Sequence, residues 1–236
     1  MPTQHPTISS RLVTPRRVDA ARQSAEGLAL LAAIVALMWV IEVINSVDGN
    51  ALTNDAGIIP RATGHVWAIF TSPFLHANFQ HLIDNTVPFV FMGVIIALRG
   101  AGRLALVTLI VIVVGGLGTW LIAPAQTNTI GASGLVFGYA TYLFTRGLFD
   151  RSALEILTGV VVGAVWGGAL LSSIVPHTGI SWQAHVCGAI GGVVAAWILA
   201  GRQAGRNRGS RPPGDAERHP PAHRPMHDSL DRALTQ

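Results

Sequence analysis

The sequence contains no lysine: all 16 of its basic residues are arginine. Charge of either sign is scarce, 12% of 236 residues, where a soluble domain carries about 25%. Residues 104–145 run for 42 positions, and residues 156–201 for 46, without one Asp, Glu, Lys or Arg. Stretches of that length cannot be solvated as separate soluble elements, and they read as helices in a bilayer. A single cysteine, Cys187, rules out an internal disulfide framework. No His-Glu-x-x-His pair is present, so the sequence lacks the usual helical zinc-hydrolase signature. The apolar run that follows polar residues 1–26 is too long for the core of a leader peptide. No small-residue cleavage site comes after it, so this first apolar segment is expected to be retained.

What is present is apolar bulk: half of the residues are hydrophobic, and the mean hydropathy is +0.47. Hydropathy predicts six helices, at residues 28–45, 78–98, 104–123, 131–144, 153–175 and 181–200. The expected fold is therefore all-α, a polytopic six-transmembrane-helix bundle occupying residues 27–200. A cytoplasmic tail (1–26) would precede it and a disordered cytoplasmic tail (201–236) would follow. The fourth segment is several residues short of the ~20 needed to cross the hydrocarbon. A short segment at membrane depth has its start sunk among neighbouring helices, a common setting for a membrane site. In a six-helix serpentine 15 of the 16 arginines fall on one side, with Arg61 alone opposite. The positive-inside rule then makes both termini cytoplasmic. That topological use of arginine explains the isoelectric point near 10.5 without a nucleic-acid partner. Arginine in place of every lysine points to GC-rich bacterial coding, hence to a multi-pass protein of the bacterial plasma membrane.

Polar groups at membrane depth are costly, so each is a candidate site residue. The second helix opens on His76-Ala-Asn-Phe-Gln-His81-Leu-Ile-Asp84-Asn85, where His81 and Asn85, four apart, share a face. The fourth opens on Gly131-Ala-Ser133-Gly134 and the sixth on Ser181-Trp-Gln-Ala-His185. All three helices run from outside to inside, so Ser133, His185, His81 and Asn85 converge near one level. A serine hydroxyl needs a base to take its proton, and neutral imidazole serves near pH 7. Ser133 and His185 form such a pair. His81, Asn85 and backbone N–H groups at the start of the fourth helix suit the oxyanion of a tetrahedral intermediate. Gly134 and Gly138, facing Gly188 and Gly192, would let the two helices approach closely enough for that contact. Taken singly, each residue has a plainer reading, as packing serine, solvated histidine or interhelical amide. Glu42 and Asp84 receive no role.

Together these motifs resemble the rhomboid intramembrane serine proteases, and the resemblance spans about residues 28–200. It implies a Ser–His dyad with Ser133 as nucleophile and His185 as base, and no third acidic member. It implies an oxyanion site from His81, Asn85 and the Ser133 N–H, and substrates that are membrane proteins with a transmembrane helix, cut near the outer face. No cofactor and no metal are expected, and the oligomeric state is open. The aromatic that packs on the catalytic histidine aligns with Phe137, which lacks a hydroxyl. The family's frequent Trp-Arg pair is here Trp67-Ala68, and Gly57-Ile-Ile-Pro-Arg61 resembles a loop of a bacterial subset. A lid is expected from residues 172–180 and the outer end of the fifth helix. The rival readings are a catalytically silent rhomboid-like protein that binds membrane clients, and a metal site built from His76, His81, Asp84 and His185.

Overall fold

The computed structural model describes residues 15–150, 153–172, 175, 179 and 181–209. Eight α-helices appear among them: α1 (Pro15–Val47), α2 (Ala51–Ala56), α3 (Ala68–Thr71), α4 (Phe79–Ala97), α5 (Ala101–Ile122), α6 (Ser133–Asp150), α7 (Ala153–Ser172) and α8 (Trp182–Gly209). The described residues form no strand, only an isolated bridge between Ile58 and Thr129. The fold is an all-helical membrane bundle. Most of the expected lid, and the tails at 1–14 and 210–236, lie outside the described residues.

Six long helices lie where six apolar segments are predicted, but not all meet the test of a span. Val18–Val47, Phe79–Ala97, Ala101–Ile122 and Trp182–Ala200 are long and apolar enough to cross a membrane. In α7 the apolar stretch Leu157–Gly168 is shorter, and α6 has 18 residues that include Arg146 and Asp150.

The helix ends differ from the hydropathy limits for identifiable reasons. Pro15 starts α1, where its missing N–H costs nothing. The helix then continues through an Arg22–Glu26 ion pair at 2.9 Å, one turn apart, before entering the apolar run. It stops where Gly49 and Asn50 both adopt positive φ, 61° and 66°. At α4 the Asn78 side chain accepts from the His81 N–H at 2.9 Å, an N-cap that fixes the first turn. The sixth apolar segment continues as helix to Gly209, because no proline intervenes before Pro212.

The core of residues 1–200 is apolar, with Leu82, Phe89, Met92, Ile96, Leu104, Val107 and Tyr139 fully enclosed. Phe89 stacks on Tyr139 at 5.1 Å, and the Tyr139 hydroxyl meets Thr108 Oγ1 at 2.6 Å. That bond satisfies a phenol no water can reach. The connection between α1 and α4 packs over the C-terminal end of α5 and the turn before α6. Ile58 and Thr129 exchange both backbone hydrogen bonds (2.9 and 3.0 Å), and Asn128 Nδ2 donates to the Thr53 carbonyl at 2.8 Å. Arg61 donates from Nη1 to the Leu121 and Ala123 carbonyls at 2.9 and 2.8 Å. These are orphan carbonyls at the C-terminus of α5, where a cation is also favoured by the helix dipole. Ala68 is wholly buried, so the position after Trp67 has no space for a guanidinium.

Candidate active site

Ser133 is the first residue of α6, and His185 lies one turn into α8. Ser133 Oγ and His185 Nε2 are 2.9 Å apart. The helices come this close because glycines line the seam. A Cβ on Gly188 would strike the Gly134 carbonyl, and one on Gly192 would strike the Gly138 carbonyl and Thr141 Oγ1. Thr141 Oγ1 also donates across the seam to the Ala189 carbonyl at 2.8 Å, a polar tie of the kind that holds membrane helices. The His185 ring stacks on Phe137 with centroids 4.4 Å apart and planes 8° from parallel. Phe137, one turn below Ser133, thus fixes the imidazole plane without a hydroxyl.

His81 and Asn85 approach from α4. The Ala77 N–H points at His81 Nδ1 at 3.3 Å, so Nδ1 is the acceptor and the neutral ring carries its proton on Nε2. That Nε2 faces the turn before Ser133: a Cβ on Gly131 would lie 2.9 Å from it and 3.6 Å from Asn85 Nδ2. Gly131 has φ +105°, open only to glycine without strain. Asn85 Nδ2 gives one hydrogen to the His81 carbonyl at 3.0 Å, leaving its second N–H available. Donors from α4 and the helix start at Ser133 therefore border one space. Ser133, His185, His81, Asn85, Phe137 and Asp84 all line a single cleft of about 930 Å³. All four residues singled out from sequence are brought together there.

Sequence reasoning missed the groups that hold the nucleophile turn. The Gly131 N–H donates to the Ser72 carbonyl at 2.9 Å, and the Ala132 N–H to His76 Nε2 at 3.3 Å. Accepting that bond requires a neutral ring. Burial and the neighbouring His81 push His76 down from its ordinary 6.5 to about 4. The His76 carbonyl in turn accepts from Asn45 Nδ2 (3.3 Å) and Thr53 Oγ1 (3.2 Å), and Asn45 Oδ1 accepts from the Thr53 N–H at 3.1 Å. Asn45, at the end of α1, is fully buried. A polar residue closing an apolar run was the available signal.

The histidines and carboxylate of the metal reading do not gather. Among the described residues no three His, Cys, Asp or Glu side chains form a metal-binding group. His76 and His81 meet edge to face at 5.1 Å, with His76 Nε2 committed to Ala132. Cys187 is buried, and a Cβ on Gly118 of α5 would lie 2.6 Å from its Sγ, so the thiol packs against α5.

A helical membrane bundle that sets a serine against a histidine at the starts of two close-packed helices defines a small class of proteins. The family profile of the Rhomboid domain matches residues 63–202. The chain is 39% identical over 203 residues to uncharacterized protein Rv1337 of Mycobacterium tuberculosis, covering 83% of this chain and 84% of that protein. It is 30% identical over 139 residues to putative rhomboid protease YdcA of Bacillus subtilis (58% and 69% covered). It is 27% identical over 144 residues to rhomboid protease GlpG of Salmonella paratyphi A (56% and 48%). The chain belongs to the rhomboid family.

Proposed function

We propose that this protein is an intramembrane serine endopeptidase that cleaves transmembrane protein substrates near the outer face of a bacterial plasma membrane. The observation that carries the reading is the 2.9 Å contact of Ser133 Oγ and His185 Nε2 in a cleft shared with two uncharged donors. His185 takes the Ser133 proton as Oγ attacks the scissile carbonyl. The oxyanion is stabilised by His81 Nε2–H, the second Asn85 N–H and the Ser133 backbone N–H, aided by the dipole of α6. His185 then protonates the leaving amine, and water attacks the acyl-enzyme by the same route reversed. A neutral dyad suits the setting, since no buried charge persists between turnovers. In this reading α6 and α7 complete a six-span rhomboid domain over residues 27–200. Both tails, 1–26 and 201–236, are cytoplasmic, and no metal or organic cofactor takes part.

The test is cleavage of a transmembrane substrate by purified protein, beside labelling with a fluorophosphonate. Ser133→Ala and His185→Ala should each lower cleavage by about 10³-fold or more, with unchanged thermal unfolding, and Ser133→Ala should abolish labelling. Full proteolysis by pure Ser133→Ala protein sinks the reading. A folded wild-type protein that neither labels nor cleaves would be a silent client-binding relative.

A further inference from the structure

Among the described residues that line the cleft Asp84 is the one acidic residue, and the proposed chemistry does not use it. It is exposed, six residues into the α4 span, on a strip with exposed Phe79, Ile83, Val87 and Phe91. A carboxylate on an apolar helix strip at membrane depth is expensive unless it meets a partner. Within the protein its hydrogen-bond partner is neutral: Gln80 Nε2 donates to Asp84 Oδ1 at 2.9 Å, one turn away, and the His81 ring lies within electrostatic reach. Arg61 is committed to two carbonyls of α5.

A second feature concentrates acceptors at the same spot. Pro88, four residues on and also lining the cleft, has no N–H to give the Asp84 carbonyl, so that oxygen lacks its intrahelical donor. Asp84 therefore offers a carboxylate beside a backbone oxygen that lacks its usual i+4 donor, and the side chain that donates to the carboxylate, Gln80, is neutral. A carboxylate beside such an oxygen fits a cationic group with several N–H donors. The cleft also contains Ser133 and His185, so that group arrives on the chain being cut.

Resting on the protease reading, we propose that Asp84 is a specificity-determining residue that selects substrates carrying a lysine or arginine within a few residues of the scissile bond. The side chain snorkels from the substrate's apolar segment into the outer cleft, and the Asp84 carboxylate pairs with it as the peptide settles against Ser133.

The test uses the full chain in liposomes of phosphatidylcholine and phosphatidylglycerol. A series of transmembrane peptides, identical except for Lys, Arg, Gln or Glu placed at successive positions around the cut, serves as substrate. Wild-type protein should cleave at least one Lys and the matching Arg peptide about tenfold faster in kcat/KM than the Gln peptide, the size of one modest charge pair. Asp84→Asn should bring that ratio close to one, and Asp84→Arg should turn the preference toward Glu. A merely structural role would lower all peptides alike and leave the ratio standing, which overturns the proposal. So would a wild-type ratio near one while the Gln peptide is cut and Ser133 takes the fluorophosphonate, with the protease reading intact. Absence of both cutting and labelling in wild-type protein overturns both. Adding phosphatidylethanolamine distinguishes the lipid amine: an acceleration shared by every peptide and lost in Asp84→Asn would assign the carboxylate to the headgroup and overturn the proposal.

Discussion

On α8, Gly188 and Gly192 lie so close to α6 that a methyl group on either would collide with a backbone carbonyl. On α7, Gly163, Gly167 and Gly168 have none of the described residues within 4 Å of where a Cβ would stand. α7 meets α6 tightly in its first half, where Val162 is buried and a Cβ on Gly159 would lie 3.1 Å from Phe144 Cδ2. Its next turn bears Trp166, which lines the cleft and touches Phe91 of α4 at 4.8 Å between centroids. Glycine thus does two unlike things on two of the helices packed against α6. Along α8 it removes bulk so that two side chains can meet at hydrogen-bonding distance. Along the second half of α7 it leaves a helix lightly packed beside the cleft. One seam sets the geometry of the dyad, and the other borders the space a substrate would occupy.

The largest effect should come from breaking the tight seam. Gly188→Val forces α8 away from Gly134, and overpacking of this kind costs about 1–3 kcal/mol. The displacement also separates His185 from Ser133, and a misplacement near 1 Å costs on the order of 10²-fold. We expect cleavage to fall by at least that factor and the unfolding temperature in detergent to drop. Unchanged activity in folded Gly188→Val protein would show that the seam does not set the dyad.

Next in size are the donors from α4. Asn85→Ala removes one N–H from the proposed oxyanion site and should lower kcat by about 10²-fold, in the range for a single such donor, with little change in KM. His81→Ala should act in the same direction. A loss confined to KM would move both residues from transition-state stabilisation to substrate binding.

The contrast between the seams also marks how far the sequence could be read. The long helices were legible because charge-free runs of this length leave few other solutions. Their ends were less so: hydropathy registers only the apolar part of α1, yet Arg22–Glu26 continues the helix. Ser133, His185, His81 and Asn85 stood out because polar groups at equal depth are rare in an apolar chain. Their supports did not: the Ser72 carbonyl that holds the Gly131 N–H is a backbone atom, which every residue has, and the bond from the Ala132 N–H to His76 Nε2 is a tertiary contact between residues far apart in the chain. Arg61 showed only as a topological exception, while its work is to cap α5. That glycines on α8 and α7 differ in role is invisible in composition, since the difference lies in the neighbour.

A smaller effect should appear with pH on the tight side of the molecule. His76 is held near 4 when folded against an ordinary 6.5, so between those values the unfolded chain binds more protons. Stability linked to His76 is therefore complete above about pH 6.5 and is lost as pH falls toward 4. Protonation would also cancel the acceptor used by the Ala132 N–H. In His76→Gln the amide oxygen can accept without titrating. The drop in unfolding temperature between pH 7.5 and 4.5 should be smaller in that variant than in wild type, and equal drops would remove His76 from the account.

The smallest effect tests the loose side. Gly167→Ala adds a methyl group where nothing described stands within 4 Å, so no clash opposes it. Replacing a helical glycine with alanine gains about 0.5–1 kcal/mol by limiting the unfolded chain. The same exchange at Gly192 would drive a methyl into the Gly138 carbonyl and should cost stability and activity together. Gly167→Ala should therefore keep kcat/KM within about twofold of wild type and raise the unfolding temperature slightly. If Gly167→Ala proved as damaging as Gly192→Ala, the second half of α7 would pack more tightly during turnover than at rest, and the two seams would no longer differ in kind.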